Sequence, residues 1–193
     1  MLLETIRCDF GEALHLSYHQ QRLDRSLKQL GCSTHYDLHA LISPPNDTLY
    51  RCRFLYDSLQ YSVEFIPYTP RSVTSLKLVY DDTIEYPLKY SDRAHLNTLY
   101  ELRGVCDDVL IVKNGLLSDT TIANIALKID NRWYTPQSPL LEGTTRARLI
   151  DDGFLLTAPL TPFDIAKSSS VAIMNAMVGF FEVENGIIRQ KQV

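Results

Sequence analysis

The sequence predicts an α+β protein in two lobes, and two observations predict it. Strand-like apolar runs are closed repeatedly by turn signals such as Asp9-Phe10-Gly11, Asp57-Ser58, Asn114-Gly115 and Asn131-Arg132. The helical patterns are few and short, and they do not alternate with single strands as a repeating βαβ unit would require.

In chain order, Leu2 to Cys8 reads as a strand and Ala13 to Leu16 as a second, shorter one. Ser17 with Gln20 has the form of a capping box. Leu23, Leu27 and Leu30 then recur at helical spacing, and Gly31 ends the run. His35 to Ile42 predicts a second helix, stopped by Pro44-Pro45. Strands are predicted over Leu49 to Tyr56, Leu59 to Ile66 and Val73 to Tyr80, the first two joined by a tight hairpin. This makes residues 1–84 a small α+β lobe. The acidic, turn-forming stretch from Tyr80 to Pro87 marks the boundary, and residues 85–193 form a larger, β-rich lobe.

In the second lobe, Ser91 or Asp92 caps a predicted helix running to about Arg103, with Leu96, Leu99 and Leu102 on one face. Val109 to Lys113 is a strongly apolar strand followed by the Asn114-Gly115 hairpin signal. Ile122 to Ile129 and Trp133 to Thr135 are further strands. Gly143-Thr144-Thr145 precedes a helix of about Arg146 to Asp151. Leu155 to Pro159 reads as a strand, Thr161-Pro162 begins a brief helix, and Val171 to Met174 reads as a buried strand.

Composition narrows the function. A net charge of -4 with no basic cluster gives no pull toward nucleic acid or an anionic membrane. No apolar run is long enough to span a bilayer, and the N-terminus lacks the form of a signal peptide. The cysteines, 8, 32, 52 and 106, form no CxxC pair, so a reducing cytoplasm is the expected compartment. His35 and His39 lie four apart on a predicted helix but have no third ligand, so no metal site is expected. Hydrolase, NTPase and dinucleotide motifs are missing.

The informative feature is an ordered set of segments: ETIR from Glu4, HQQRLDRS from His19, PLKYSDR from Pro87, DDVLIVKNGLLSDTTIANIAL from Asp107, WYTPQSPLLEGTTRARLI from Trp133, and MNAMVGFFEV from Met174. In this order they resemble the class IV aminotransferases, the fold-type IV pyridoxal-phosphate enzymes. That family includes branched-chain and D-amino-acid aminotransferases and 4-amino-4-deoxychorismate lyase. The resemblance covers most of the chain and is strongest from Lys89 to Arg148.

The resemblance implies a small α/β lobe and a larger β-rich pseudo-barrel lobe, a homodimer, and pyridoxal 5'-phosphate in the cleft between the lobes. It assigns Lys89, one lysine among seven, as the residue that carries the cofactor. Asp119, five residues before Asn124, takes the place of the glutamate that keeps the pyridine nitrogen protonated. Thr144 and Thr145, at a helix start, and Arg22 would hold the phosphate dianion, with Asn175 as a further phosphate-loop residue. Arg7, or Arg93, would meet a substrate carboxylate.

Several positions depart from the family pattern. Aspartate replaces glutamate at 119, Ile122 stands where relatives have glycine, and Thr144 replaces isoleucine. Ala94 occupies the place of the tyrosine that binds the ring hydroxyl, with Tyr90 and Asn97 as substitutes. The Asn-Ala-Met segment and the missing tyrosine point to the lyase, which converts 4-amino-4-deoxychorismate to 4-aminobenzoate and pyruvate. The alternatives are an aminotransferase acting on a branched-chain or D-amino acid, and a trimmed, non-catalytic relative.

Overall fold

The computed structural model describes residues 1–70, 72–184 and 186–188. The chain divides into two compact units: Met1–Pro70 with Leu88–Asp92, and Arg71–Pro87 with Arg93–Val193. A single boundary at residue 84 is expected from the sequence. In the structure the chain leaves the first unit at Pro70 and returns to it for the five residues around Lys89. The return is held by backbone pairing to strand β1 (Leu2–Asp9). Leu3 N–H donates to the Lys89 carbonyl at 2.9 Å, Tyr90 bridges Leu2, and Ser91 N–H donates to the Met1 carbonyl.

The first unit is a four-stranded antiparallel sheet carrying two helices. Besides β1 it contains β2 (Glu12–Ala13), helix α1 (Leu16–Gln29), helix α2 (Leu38–Leu41), β3 (Tyr50–Tyr56) and β4 (Tyr61–Pro67), with strand order β2-β1-β3-β4. Side chains alternate across β1, so Leu2, Glu4, Ile6 and Cys8 all face the core. Opposite them α1 buries His19, Arg22, Leu23, Ser26 and Leu27, the i, i+3, i+4, i+7, i+8 stripe of an amphipathic helix. Phe54 and Tyr56 of β3 fill the space beneath.

The capping box is not realised. Helix α1 starts at Leu16 behind His15, which has φ 56° and makes no side-chain cap. Gln20 instead joins the two helices: its amide donates to the Tyr36 carbonyl and its oxygen accepts Leu38 N–H. Helix α2 is correspondingly short, capped by Asp37, whose carboxylate accepts His39 N–H.

The second unit is built on one mixed sheet. Its elements are β5 (Leu76–Tyr80), α3 (Ala94–Glu101), β6 (Asp108–Lys113), β7 (Leu116–Thr120), β8 (Asn124–Ile129), β9 (Arg132–Pro136), α4 (Thr144–Asp151), β10 (Leu155–Ala158), β11 (Ser170–Asn175), β12 (Gly179–Glu182) and β13 (Ile187–Ile188). The order is β10-β9-β8-β7-β6-β5-β13, with β11 and β12 branching from β8. Strand β11 pairs with β8 from Asn124 to Lys128, while β7 meets β8 only at Asn124 and β9 takes Leu127 to Ile129.

The Asn114-Gly115 hairpin forms, with φ 51° and 76° at its two residues, the left-handed pair that a tight primed turn needs. Its second strand is β7, which then turns again at Thr121-Ile122, where Thr120 N–H donates to the Ala123 carbonyl at 2.9 Å. Thus β8 begins at Asn124 rather than Ile122. Strands outnumber helices throughout, in agreement with the α+β class expected from the sequence. Among the described residues no helix is long and apolar enough to cross a membrane.

Candidate active site

The candidate residues fall into two groups, one in each unit. In the first unit Arg22 belongs to a buried charged cluster. Its Nε donates to Glu4 Oε1 at 2.8 Å and its Nη2 to Glu4 Oε2 at 2.5 Å, while His19 Nδ1 lies 2.7 Å from Oε2. Relative exposures are 0% for Glu4, 1% for His19 and 6% for Arg22. Such burial is tolerable only because the charges compensate one another and share hydrogen bonds.

Burial alone would raise the Glu4 carboxyl. The Arg22 guanidinium and the hydrogen bonds from His19 and Arg22 outweigh it and bring the carboxyl down to about 2. His19 goes the other way for an imidazole beside a carboxylate. Burial holds its pKa below the usual value, against the pull of Glu4, and the Arg22 and Lys89 cations push in the same direction. Lys89 is therefore close enough for its charge to act on this cluster. It is half-buried, and its carbonyl is fixed to the strand residue beside Glu4.

In the second unit Asp119 is buried at the end of β7, opposite Asn124 at the start of β8. Its Oδ1 accepts Asn124 Nδ2 at 2.7 Å and its Oδ2 accepts Leu141 N–H at 2.9 Å. These are amide donors, not a paired cation. Burial dominates and pushes the carboxyl up to about 7, opposed by Asn124, Leu141 and the Arg146 charge.

Asn124 links this carboxylate to the start of α4. Its Nδ2 also donates to the Leu141 carbonyl at 2.8 Å, and its Oδ1 fills the space that a Cβ on Gly143 would need. Gly143 is the residue before the helix, and Thr144, Thr145 and Arg146 form its buried first turn. The opening N–H groups of a helix have no intrahelical acceptor and carry its positive dipole end. Arg146 points elsewhere: Nη2 donates to the Pro136 carbonyl at 2.9 Å, and Nε is buried without a hydrogen-bond partner among the described residues.

Asn175 closes β11. Its Oδ1 accepts Met177 and Val178 N–H, and its Nδ2 donates to the Ile122 carbonyl at 3.2 Å, so it ties the β7–β8 turn to the β11–β12 turn. Ile122, in the glycine position, turns its side chain outward and is 47% exposed. Arg93 donates from Nη2 to the Thr121 carbonyl at 2.6 Å. Ala94 and Asn97 lie exposed on α3, and Tyr90 is half-buried beside β1. Arg7 sits on the face of β1 turned away from Glu4, paired with Asp9 at 2.6 Å. Among the described residues no group of three or more His, Cys, Asp or Glu side chains is arranged to hold a metal ion.

Three residues of these clusters received no role from the sequence: Glu4, His19 and Asn124. The signal for the first two was present. Glu4 interrupts the inward alternation Leu2, Ile6, Cys8, and His19 precedes Arg22 and Leu23 by helical spacing, so both are polar residues on core-facing positions.

Sheets that dominate few helices, with a lysine returned beside one sheet and a buried aspartate beside a helix start in the other, place the chain in the α+β class. Comparison with known proteins makes this specific. The amino-transferase class IV family profile matches residues 88–185. An uncharacterized protein of Haemophilus influenzae is 35% identical over 184 residues, covering 92% of this chain and 98% of that one. A candidate 4-amino-4-deoxychorismate lyase from Haemophilus somnus, solved by crystallography, is 34% identical with a TM-score of 0.85, covering 92% of this chain and 96% of its own. A candidate amino-acid aminotransferase from Mesorhizobium loti shares the fold at 23% identity and a TM-score of 0.81, over 97% of this chain and 98% of its own. The chain belongs to the class IV aminotransferase family of enzymes, whose cofactor is pyridoxal 5'-phosphate.

Proposed function

We propose that this chain is a pyridoxal-phosphate lyase converting 4-amino-4-deoxychorismate to 4-aminobenzoate and pyruvate, with Lys89 as its catalytic lysine. The residues present fit the cofactor. A dianionic phosphate suits the first turn of α4, where the opening N–H groups, Thr144 and Thr145 lie, with the Asn175 turn in the same unit. Asp119 suits the ring nitrogen, and Asn124 spans from Asp119 to the residue that opens α4, so one side chain spaces the two anchoring ends.

Bound pyridoxal phosphate supplies an electron sink for the carbon that loses its proton. The protein supplies the rest. Lys89 would hold the cofactor through its side-chain amine, and its Nζ, once free, would take the proton from the ring carbon bearing the substrate amine. Loss of the enolpyruvyl side chain as pyruvate then leaves an aromatic ring. Glu4 pairs with the Arg22 guanidinium, so that pair carries no net charge within the cluster whose His19 feels the Lys89 cation. Asp119, whose carboxyl burial raises to about 7, would hold a proton at the ring nitrogen.

The observation that carries the choice of reaction is the 34% identity, over nearly the whole chain, to a protein described as a candidate lyase of this type. The Asn175-Ala176-Met177 segment and Ala94 in the tyrosine position support it. A homodimeric assembly in the cytoplasm belongs to the same proposal. Incubating cofactor-loaded protein with 4-amino-4-deoxychorismate should release pyruvate in step with 4-aminobenzoate. Turnover of a branched-chain or D-amino acid that depends on an added keto acid, with no pyruvate, would make it an aminotransferase. A colourless protein that stays colourless with added cofactor would make it a non-catalytic relative.

A further inference from the structure

The turn from Thr120 to Ala123 joins β7 to β8, with Asp119 at one end and Asn124 at the other, and no regular ladder holds it. Among the described residues β7 and β8 meet at one pair, Asp119 with Asn124. On its other side β7 shifts register against β6 between Leu110 and Val112. The turn closes on itself through Thr120, whose N–H donates to the Ala123 carbonyl at 2.9 Å. The Thr120 hydroxyl oxygen also accepts Ile122 and Ala123 N–H, at 3.2 and 3.0 Å. These bonds shape the turn but do not fix its place against the sheet.

That place is set by three side chains. Arg93 Nη2 donates to the Thr121 carbonyl at 2.6 Å and Asn175 Nδ2 to the Ile122 carbonyl at 3.2 Å, both from half-buried residues. The third is Asp108, the first residue of β6, only 1% exposed. Its Oδ1 accepts the Thr121 hydroxyl and Val109 N–H, each at 2.8 Å, so it is pinned to its own strand while it holds the turn. Thr121 is buried too, which shields this bond from competing water. Burial raises the Asp108 carboxyl, opposed by the Val109 N–H and the Thr121 hydroxyl. Asp108 Oδ2 is buried without a hydrogen-bond partner among the described residues, which costs stability. A carboxylate retained despite that cost calls for a role, and a charge-assisted grip on Thr121 supplies it.

We infer that Asp108 is a positioning residue: through Thr121 it fixes the β7–β8 turn, and thereby the Asp119–Asn124 hydrogen bond that the cofactor ring would meet. This rests on the reading of Asp119 as the partner of the ring nitrogen and adds the residue that holds it in place. Asp119 Oδ1 and Asn124 Nδ2 are 2.7 Å apart across the ends of the turn, so a slip of the turn separates them. Asn124 passes the slip to Leu141 and Gly143, in the segment that leads into α4. A loosened turn also admits water to Asp119 and weakens the burial that raises its carboxyl.

The test is the titration of Asp119 in the full chain, read by NMR from the Asn124 side-chain amide, with N124A to assign the signal. In the wild type the signal should move with a midpoint of about 7, and D119N should abolish the movement. Arg146, the cation acting on Asp119, stays charged in this range. D108A and T121V should lower the midpoint by about one pH unit or more, toward the ordinary carboxylate range. D108N, which keeps an acceptor oxygen in the same place, should stay nearer the wild type than D108A does. L155A, a core truncation in β10, should lower Tm but leave the midpoint where it is. Pyridoxal phosphate, titrated by absorbance, should bind D108A and T121V about tenfold more weakly than the wild type. An unmoved midpoint in D108A and T121V, or one moved as far by L155A, overturns the inference and leaves Asp108 as a strand cap. T121V removes one hydroxyl and keeps the shape of the side chain, so it decides the matter if D108A does not fold. A lowered midpoint with unchanged cofactor affinity leaves Asp108 in its positioning role and removes Asp119 from the ring nitrogen instead.

Discussion

Glu4 in the first unit and Asp119 in the second are both buried carboxylates, 0% and 4% exposed, and their surroundings drive them in opposite directions. Glu4 has a guanidinium and an imidazole as partners and falls to about 2. Asp119 has an amide side chain and a backbone N–H, and rises to about 7. Both are buried, but Glu4 has a guanidinium and an imidazole within hydrogen-bond reach, whereas Asp119 has two amide donors and feels the Arg146 charge without an ion pair to it among the described residues. One unit thus holds a permanent anion that fixes an arginine, and the other holds an anion ready to change its protonation state.

Opposite shifts make opposite contributions to stability. Glu4, depressed when folded, adds stability that is present above about pH 4.5 and is lost as pH falls toward 2. His19, also depressed, acts in the same sense from about pH 6.5 downward. Asp119, raised when folded, favours the fold at low pH, and that advantage disappears as pH rises from about 4 through 7.

The largest expected effect comes from Glu4→Gln. Leaving Arg22 buried without its counter-charge should cost about 3–5 kcal/mol in urea denaturation, and an E4Q/R22M double variant should recover much of that. A cost below about 1 kcal/mol would mean that the cluster does not depend on its charges. Next is the pH slope of the second unit. Wild-type stability should fall relative to D119N between about pH 4 and pH 7, by up to about 4 kcal/mol at 1.36 kcal/mol per pH unit. Parallel profiles would show that Asp119 is ionised throughout. Gly143→Ala forces a Cβ onto Asn124 and should cost about 1–3 kcal/mol, with N124A relieving part of it in a double-mutant cycle. The smallest effect is R53Q, whose surface pair with Glu64 should contribute less than about 1 kcal/mol.

The sequence made the strands and the hairpin turns legible because alternation and Asn-Gly chemistry are local. It missed β7 because LLSDT is short and carries three polar residues that turn out to be buried. It misread Ser17-Gln20 as a cap because the better partners of Gln20, Tyr36 and Leu38, are distant in sequence. Lys89, Arg22, Asp119, Thr144 and Thr145 were legible only as an ordered set, since no single one differs in type from its surface equivalents. Glu4, His19 and Asn124 do their work by fixing other side chains. That role appears only once the pairing registers and the helix face are known.

The central claim is that Lys89 carries the cofactor. Borohydride reduction of the cofactor-loaded protein, followed by peptide mass mapping, tests it directly. The account predicts a pyridoxyl-phosphate adduct on the peptide containing Lys89 and no stable adduct in K89A. An adduct on one of the other six lysines, or none on a protein that visibly binds the cofactor, would contradict it.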